Sequence, residues 1–355
     1  MTGRGVDQVL AHSCPPLLYE PCATSALEYV VLAERAHGRI LRPLSPAALW
    51  GDGREVLDRE SPEVRIVNLE TSVALCEDAS PKRINYRMHP GNVGVLTEPG
   101  IDCAVLANNH VLDWGAAGLL ETLDVLERAG VRAAGAGCDL ATASAPAAIG
   151  TRAGGRVLVF AFGLTDSGIP PSWAADDAHP GVHLLPDPSP ESVDRVAGLV
   201  RAAKRPRDIA VASIHWGGNW GYRITSLHRR LAHALIERAG IDVVHGHSSH
   251  HPKGIEVYRG HPILYGCGDL LNDYEGIAGH EEYRPHLRLM YFPVLDAAAG
   301  VLVGLTMAPL RIRGFQLRRA EPSDVSWLRE RLDRECRRFG HAVRQEDDRL
   351  VLQWQ

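Results

Sequence analysis

The 355-residue chain contains no apolar run approaching the roughly 20 residues that cross a bilayer. Its first residues also lack the charged segment, apolar stretch and small-residue cleavage site of an export signal. No membrane span is expected, and a cytoplasmic location is. There is no C-x-x-C pair: the seven cysteines stand singly at 14, 22, 76, 103, 138, 267 and 336. An odd, scattered set provides neither a disulfide framework nor a thiolate zinc site, and it fits a reducing compartment. Positive charge is not in excess, since Lys plus Arg number 38 against 43 Asp plus Glu, for a net charge of −5. No broad cationic field exists to hold nucleic acid or acidic lipid, so partners must be recognised locally. Nucleotide fingerprints are missing too. Gly135-Ala136-Gly137 lacks the third glycine, there is no G-x-x-x-x-G-K, and the serine within 163–168 is not in a G-x-S-x-G elbow. ATP-driven ligation therefore has no support.

What is present is a 45% hydrophobic share, enough to fill a core, and 17 histidines, many in short polar clusters. Surplus imidazole points to metal or acid–base work, although surface histidines also inflate such a count. Short apolar runs at 64–69, 101–106, 157–162, 209–214, 241–244 and 263–265 read as strands. Between them, residues 116–129 and 226–239 carry leucines at helical spacing and stop at Gly130 and Gly240. This alternation predicts an α/β sheet. Residues 170–190, rich in proline and acids, read as a long surface excursion. The texture changes near residue 311, so we expect a main domain over 1–310 and an appended C-terminal region over 311–355. That region holds a charged helix at 323–339 and a short strand near 350–354.

The informative pattern lies where the strands end. VRIVNLE runs into Asn68 and Glu70, IDCAVLANNH into Asn108, Asn109 and His110, DIAVASIHWGG into His215, and IDVVHGHSSHH into His245, His247, His250 and His251. In open α/β sheets the carboxyl ends of strands form the ligand-binding edge. Carboxylate, amide and imidazole donors without thiolate suit Mn, Fe or Zn, and a set this rich can hold two ions. Such a pair clamps a phosphoryl or tetrahedral centre, while an unligated histidine beside it can protonate a leaving group. Singly, each residue has a plainer reading: a hydrogen-bonded strand-end histidine, an Asn-Asn turn, a solvated loop. Four coincidences on one edge favour the metal account. Lys82, Arg83, Arg87, His89, Arg223 and Lys253 are candidates to meet an anionic substrate or are surface charges. Trp216, Trp220 and Tyr222 either wall the site or fill the core, and Asp269 and Asp273 could partner histidine N–H groups.

Taken in order, N-L-E at 68–70, A-N-N-H at 107–110, H-W-G at 215–217, H-G-H-S-S-H-H at 245–251, G-I-E-V-Y at 254–258 and Y-G-C-G-D-L-L-N-D at 265–273 resemble the CapA family. These are poly-γ-glutamate capsule-synthesis proteins within the calcineurin-like metallophosphoesterase superfamily, and the resemblance covers roughly residues 1–300. It implies a four-layer α/β/β/α sandwich and a dinuclear centre. It also implies that Glu70, Asn109, His215, His247 and His250 ligate metal and that His110 is the general acid. The glycine-histidine loop is stretched by Ser248 and Ser249, which leaves open how ligation is shared among His247, His250 and His251. The expected activity is that of a metal-dependent hydrolase or transferase on a small-molecule, γ-glutamyl or phosphorylated substrate. The alternative is a non-catalytic binding or assembly protein with a degraded metal site. The family pattern opens with a strand running into Gly-Asp-x-Met-x-Gly-Arg-Gly, whereas this chain begins Met1-Thr2-Gly3-Arg4-Gly5. Because removing a central strand costs several kcal/mol of a total of about 5–15 kcal/mol, the expectation is that the upstream reading frame encodes that strand and its aspartate.

Overall fold

A computed structural model describes residues 1–152 and 154–354. All six expected strands are found, with displaced ends, in two sheets. The first sheet is parallel, in the order Ile66–Asn68, Cys103–Val105, Arg132–Ala134. The second runs Leu184–Leu185, Arg156–Leu164, Ile209–His215, Val243–His247, His261–Leu264, Ile255–Tyr258, with Ala147–Gly150 pairing antiparallel to Arg156–Leu164. Its central strand, Ile209–His215, is buried at every position, as expected of a parallel strand covered on both faces.

Alternation along these strands sorts their side chains into two kinds of core. Cys103, Val105, Ala107 and Ala134 of the first sheet share one cluster with Val159 and Ala161 of the second. The intervening Ala104 and Leu106 instead join Leu119, Val125 and Leu126 of the helix Gly115–Arg128. On the second sheet, Leu158, Phe160 and Phe162 pack with Val193, Val196 and Val200 of Pro190–Ala203 and with Leu231 and Leu235 of Ser226–Ala239. Small residues thus let the sheets approach, while large ones sit beneath helices, each contributing about 1.5–3 kcal/mol by burial. Ser226–Ala239 has the bounds its sequence predicts. Thr225 Oγ1 accepts the His228 N–H at 3.1 Å, and Gly240 ends the helix at φ 72°.

Two expectations change. The 170–190 stretch is partly ordered into the fold, because Leu184–Leu185 pairs with the end of Arg156–Leu164 and Gly181–Val182 is buried. Position 310 lies inside a strand, Leu302–Arg313, of a third, antiparallel sheet formed with Leu287–Leu295, Gln316–Arg319, Ala342–Glu346 and Arg349–Gln353. The helix Pro322–Cys336 packs on this sheet through Val325, Leu328 and Leu332, so the tail is continuous with residues before 311. Near the N-terminus, Arg4 is fully buried and binds Asp273 at 2.6 and 2.8 Å and Glu20 at 2.9 Å, with its guanidinium 3.7 Å from the Tyr29 ring centre. Asp273 therefore serves this ion pair and, among the described residues, no histidine.

Candidate functional site

Ile66–Asn68 leads into Glu70 and Cys103–Val105 into Asn109 and His110, while Ile209–His215 and Val243–His247 end on the histidines that close them. The fold brings these four strand ends together around His215, which is fully buried. Its Nε2 lies 3.2 Å from Asn109 Oδ1 and 3.9 Å from Glu70 Oε1, and its Nδ1 lies 2.8 Å from His247 Nδ1. Burial pushes His215 down to about 4 and His247 well below the ordinary imidazole value. Both are neutral at pH 7.

Neutrality fixes the protons. Asn109 Oδ1 can only accept, so His215 Nε2 donates to it and His215 Nδ1 must accept from His247 Nδ1–H. His247 Nε2 then accepts from Ser213 Oγ–H at 3.1 Å, and Ser213 Oγ accepts from His245 Nδ1–H at 2.8 Å. Burial depresses His245 to about 4 as well. The lone pairs of His215 and His247 are thus engaged by neighbouring N–H and O–H groups. Among the described residues, no three His, Cys, Asp or Glu side chains present a ready cation cage. The donor chemistry of the set, mixed nitrogen and oxygen without sulfur, still fits a borderline divalent ion.

Glu70 is buried and accepts from Asn68 Nδ2 at 2.8 Å. Burial alone would raise its pKa, but electrostatic interaction with the His215, His110 and His250 imidazoles prevails and holds the carboxyl below its usual range. His250 stands apart, with Nδ1 3.1 Å from Asp269 Oδ2 and Nε2 3.3 Å from Tyr274 Oη. Against the effect of burial, Asp269 raises the His250 pKa, and the same pairing drives the Asp269 carboxyl down. His251 has both nitrogens spent, Nε2 accepting from Gly221 N–H and Nδ1 donating to Pro252 O, each at 3.0 Å.

His110 Nδ1 lies 2.6 Å from Asp113 Oδ2, while Lys82 Nζ lies 2.5 Å from Asp113 Oδ1 and also donates to Asn109 O. Asp113 and Ser213 lie outside the set of site residues that the strand ends point to. Asp113 alone has a local signal, three residues after His110 in N-H-V-L-D. Of the softer candidates, Lys82 reaches the site. Arg87 is buried against the Trp114 ring at 3.8 Å, and Arg83 and Arg223 are exposed. Trp216 is buried, stacked with His228, whereas Trp220 stacks on His280 with ring centres 3.9 Å apart. Lys253 is buried, which pushes its ammonium pKa down. A cavity of about 630 Å³ adjoins the site. Glu70, His245, His247 and Asp269 line one part of it, and apolar side chains such as Ile66, Val211 and Leu289 line the rest.

Residues 1–274 match the family model described as bacterial capsule synthesis protein PGA_cap. The chain belongs to this family. It is 48% identical over 353 residues, 99% of its length and 93% of the relative's, to proteins of two Mycobacterium tuberculosis strains named probable polyglutamine synthesis accessory protein. It is also similar to the PGA biosynthesis protein CapA of Bacillus subtilis, at 32% identity over 193 residues, covering 54% of this chain and 48% of that one. The capsule biosynthesis protein CapA of Bacillus anthracis is 26% identical over 196 residues, 54% of this chain and 45% of that protein. The CapA-type resemblance read from the strand-end motifs is thereby shown, and among the described residues no helix is long and apolar enough to cross a membrane.

Proposed function

We propose that this member of the capsule-synthesis family is a divalent-metal-dependent hydrolase or transferase acting on a γ-glutamyl or phosphorylated substrate. The observation that carries the reading is the meeting of Glu70, Asn109 and His247 around His215, from four strands of two sheets. We extend the proposal to a four-layer α/β/β/α stack, supported by the small side chains between the sheets and the large ones beneath the helices. Glu70, Asn109, His215 and His247 would hold a Mn, Fe or Zn ion, and His250 would serve a second. A bound cation there supplies electrophilic polarisation of a phosphoryl or carbonyl oxygen. The chain's own part is to position donors and move a proton. Glu70, its pKa held below the usual range among the His215, His110 and His250 imidazoles, is ionised at neutral pH. His110, whose Nε2 has no partner among the described residues, gives its proton to the leaving group.

The test is turnover of bis-p-nitrophenyl phosphate and of a γ-glutamyl p-nitroanilide, each with added Mn and with chelator. Chelator-sensitive turnover of either supports the proposal, and the substrate turned over distinguishes phosphoester from amide chemistry. The second reading, a non-catalytic accessory protein, is favoured by one feature: the imidazole lone pairs are satisfied internally. Under that reading neither substrate is turned over, and His110→Ala leaves partner binding intact.

A further inference from the structure

The group that surrounds His110 is more elaborate than a proton donor alone requires. Asp113 is fully buried, and its two carboxylate oxygens are divided between different donors. Oδ2 accepts from the Tyr86 backbone N–H at 2.7 Å and lies 2.6 Å from His110 Nδ1. Oδ1 lies 2.5 Å from Lys82 Nζ. The Lys82 ammonium also donates to the carbonyl oxygen of Asn109, so one side chain ties the Asp113 carboxylate to the backbone on which Asn109 and His110 sit. The Tyr86 ring meets the imidazole edge-on at 4.7 Å, and the His110 N–H is fixed by Asn108 Oδ1 at 3.0 Å. The imidazole is thus gripped at its backbone, its face and Nδ1, and only Nε2 is left without a partner among the described residues.

We propose that Asp113, clamped by Lys82, is the positioning residue for His110. Its carboxylate accepts the Nδ1–H, which fixes the ring orientation and presents Nε2 to the substrate; the proton given to the leaving group is the Nε2–H of the doubly protonated ring, which is left as the neutral Nδ1–H form. This deepens the hydrolase reading and rests on it for its catalytic consequence. The geometric claim does not depend on that reading. A carboxylate that orients an imidazole needs its second oxygen held, or it would rotate about its own χ angles.

The experiment has two readouts on the full chain. Long-range ¹H–¹⁵N correlation spectra, recorded with Zn rather than paramagnetic Mn, report which His110 nitrogen carries the proton. Wild type should be protonated at Nδ1, and Asp113→Ala should shift the ring toward the Nε2–H form. With bis-p-nitrophenyl phosphate and Mn, Asp113→Ala should lower kcat by about 100-fold, within the range general acid catalysis contributes, with KM changed less than twofold. Lys82→Met, which leaves both oxygens of Asp113 in place, should keep the Nδ1 proton and lose kcat by less than the Asp113 variant. If Asp113→Ala does not fold, the wild-type and Lys82→Met spectra still decide the matter. A wild-type His110 lacking a proton on Nδ1 overturns the proposal, as does unchanged kcat in a folded Asp113→Ala. If wild type shows no turnover of the phosphodiester or the γ-glutamyl anilide, the enzymatic reading fails, and the spectra alone then test the positioning claim.

Discussion

Acidification should unfold this protein earlier than its carboxylates alone would dictate, because it buries imidazoles in the neutral form. His183, His215 and His251 are all buried, and burial pushes each down to about 4 from an ordinary value of 6.5. Proton counting gives the sign. Between pH 6.5 and 4 the unfolded chain binds more protons at these sites than the native one, so stability is full above 6.5 and is lost as the pH falls toward 4. One pH unit below 6.5, each contributes a loss of about 1.4 kcal/mol, and the three together about 4 kcal/mol, a large part of a typical 5–15 kcal/mol. His250 acts in the opposite sense, since Asp269 raises its pKa and its contribution grows on acidification. The His183 ring bonds Ala161 and packs on Phe162 rather than on a candidate metal ligand, so it isolates the effect. Its Nδ1 donates to Ala161 O at 3.1 Å, and its ring meets Phe162 edge-on at 5.8 Å. Urea unfolding of the chelator-treated protein at pH 7.5, 6.5 and 5.5 should show the fall, and His183→Asn should reduce it by about 1.4 kcal/mol between the first and last pH. Parallel pH profiles for wild type and variant would refute the reasoning.

Ala161→Leu should destabilise by about 1–3 kcal/mol through overpacking between the sheets, read as a lower urea midpoint with an unchanged m value. Arg4→Ala should cost about 3–5 kcal/mol in urea titration, because Asp273 and Glu20 would be left buried without their cation. Ser213→Ala removes the hydroxyl between His245 and His247 and should cost about 1–3 kcal/mol, with the loss measured by thermal melting in chelator.

Much of the fold and of the candidate site is legible because buried parallel strands read as continuous apolar runs. The polar residues that end them, Glu70, Asn109, His215 and His247, then stand out at one edge. Ser226–Ala239 is legible at both ends because a threonine cap and a left-handed glycine are local signals. Arg132–Ala134 is hidden because three residues, two of them alanine, carry no period. Pro190–Ala203 has its signal, Ser189 capping and Pro190 in the first turn, but sits behind a proline-rich stretch that reads as loop. The third sheet is obscured because its strands mix buried and exposed positions without a regular period and carry arginines, as in Leu302–Arg313 and Gln316–Arg319. Lys82 stands out only as a candidate for an anionic substrate, because its link to Asp113 spans 31 residues and exists only after folding.

The most direct test of the central claim is the metal content of protein purified without chelator, measured by elemental analysis beside His215→Ala and Asn109→Ala variants. The account predicts at least one divalent transition-metal ion per wild-type chain and its loss from both variants while they remain folded. Metal-free wild type after exposure to Mn, Fe and Zn, or equal metal in all three proteins, would contradict it.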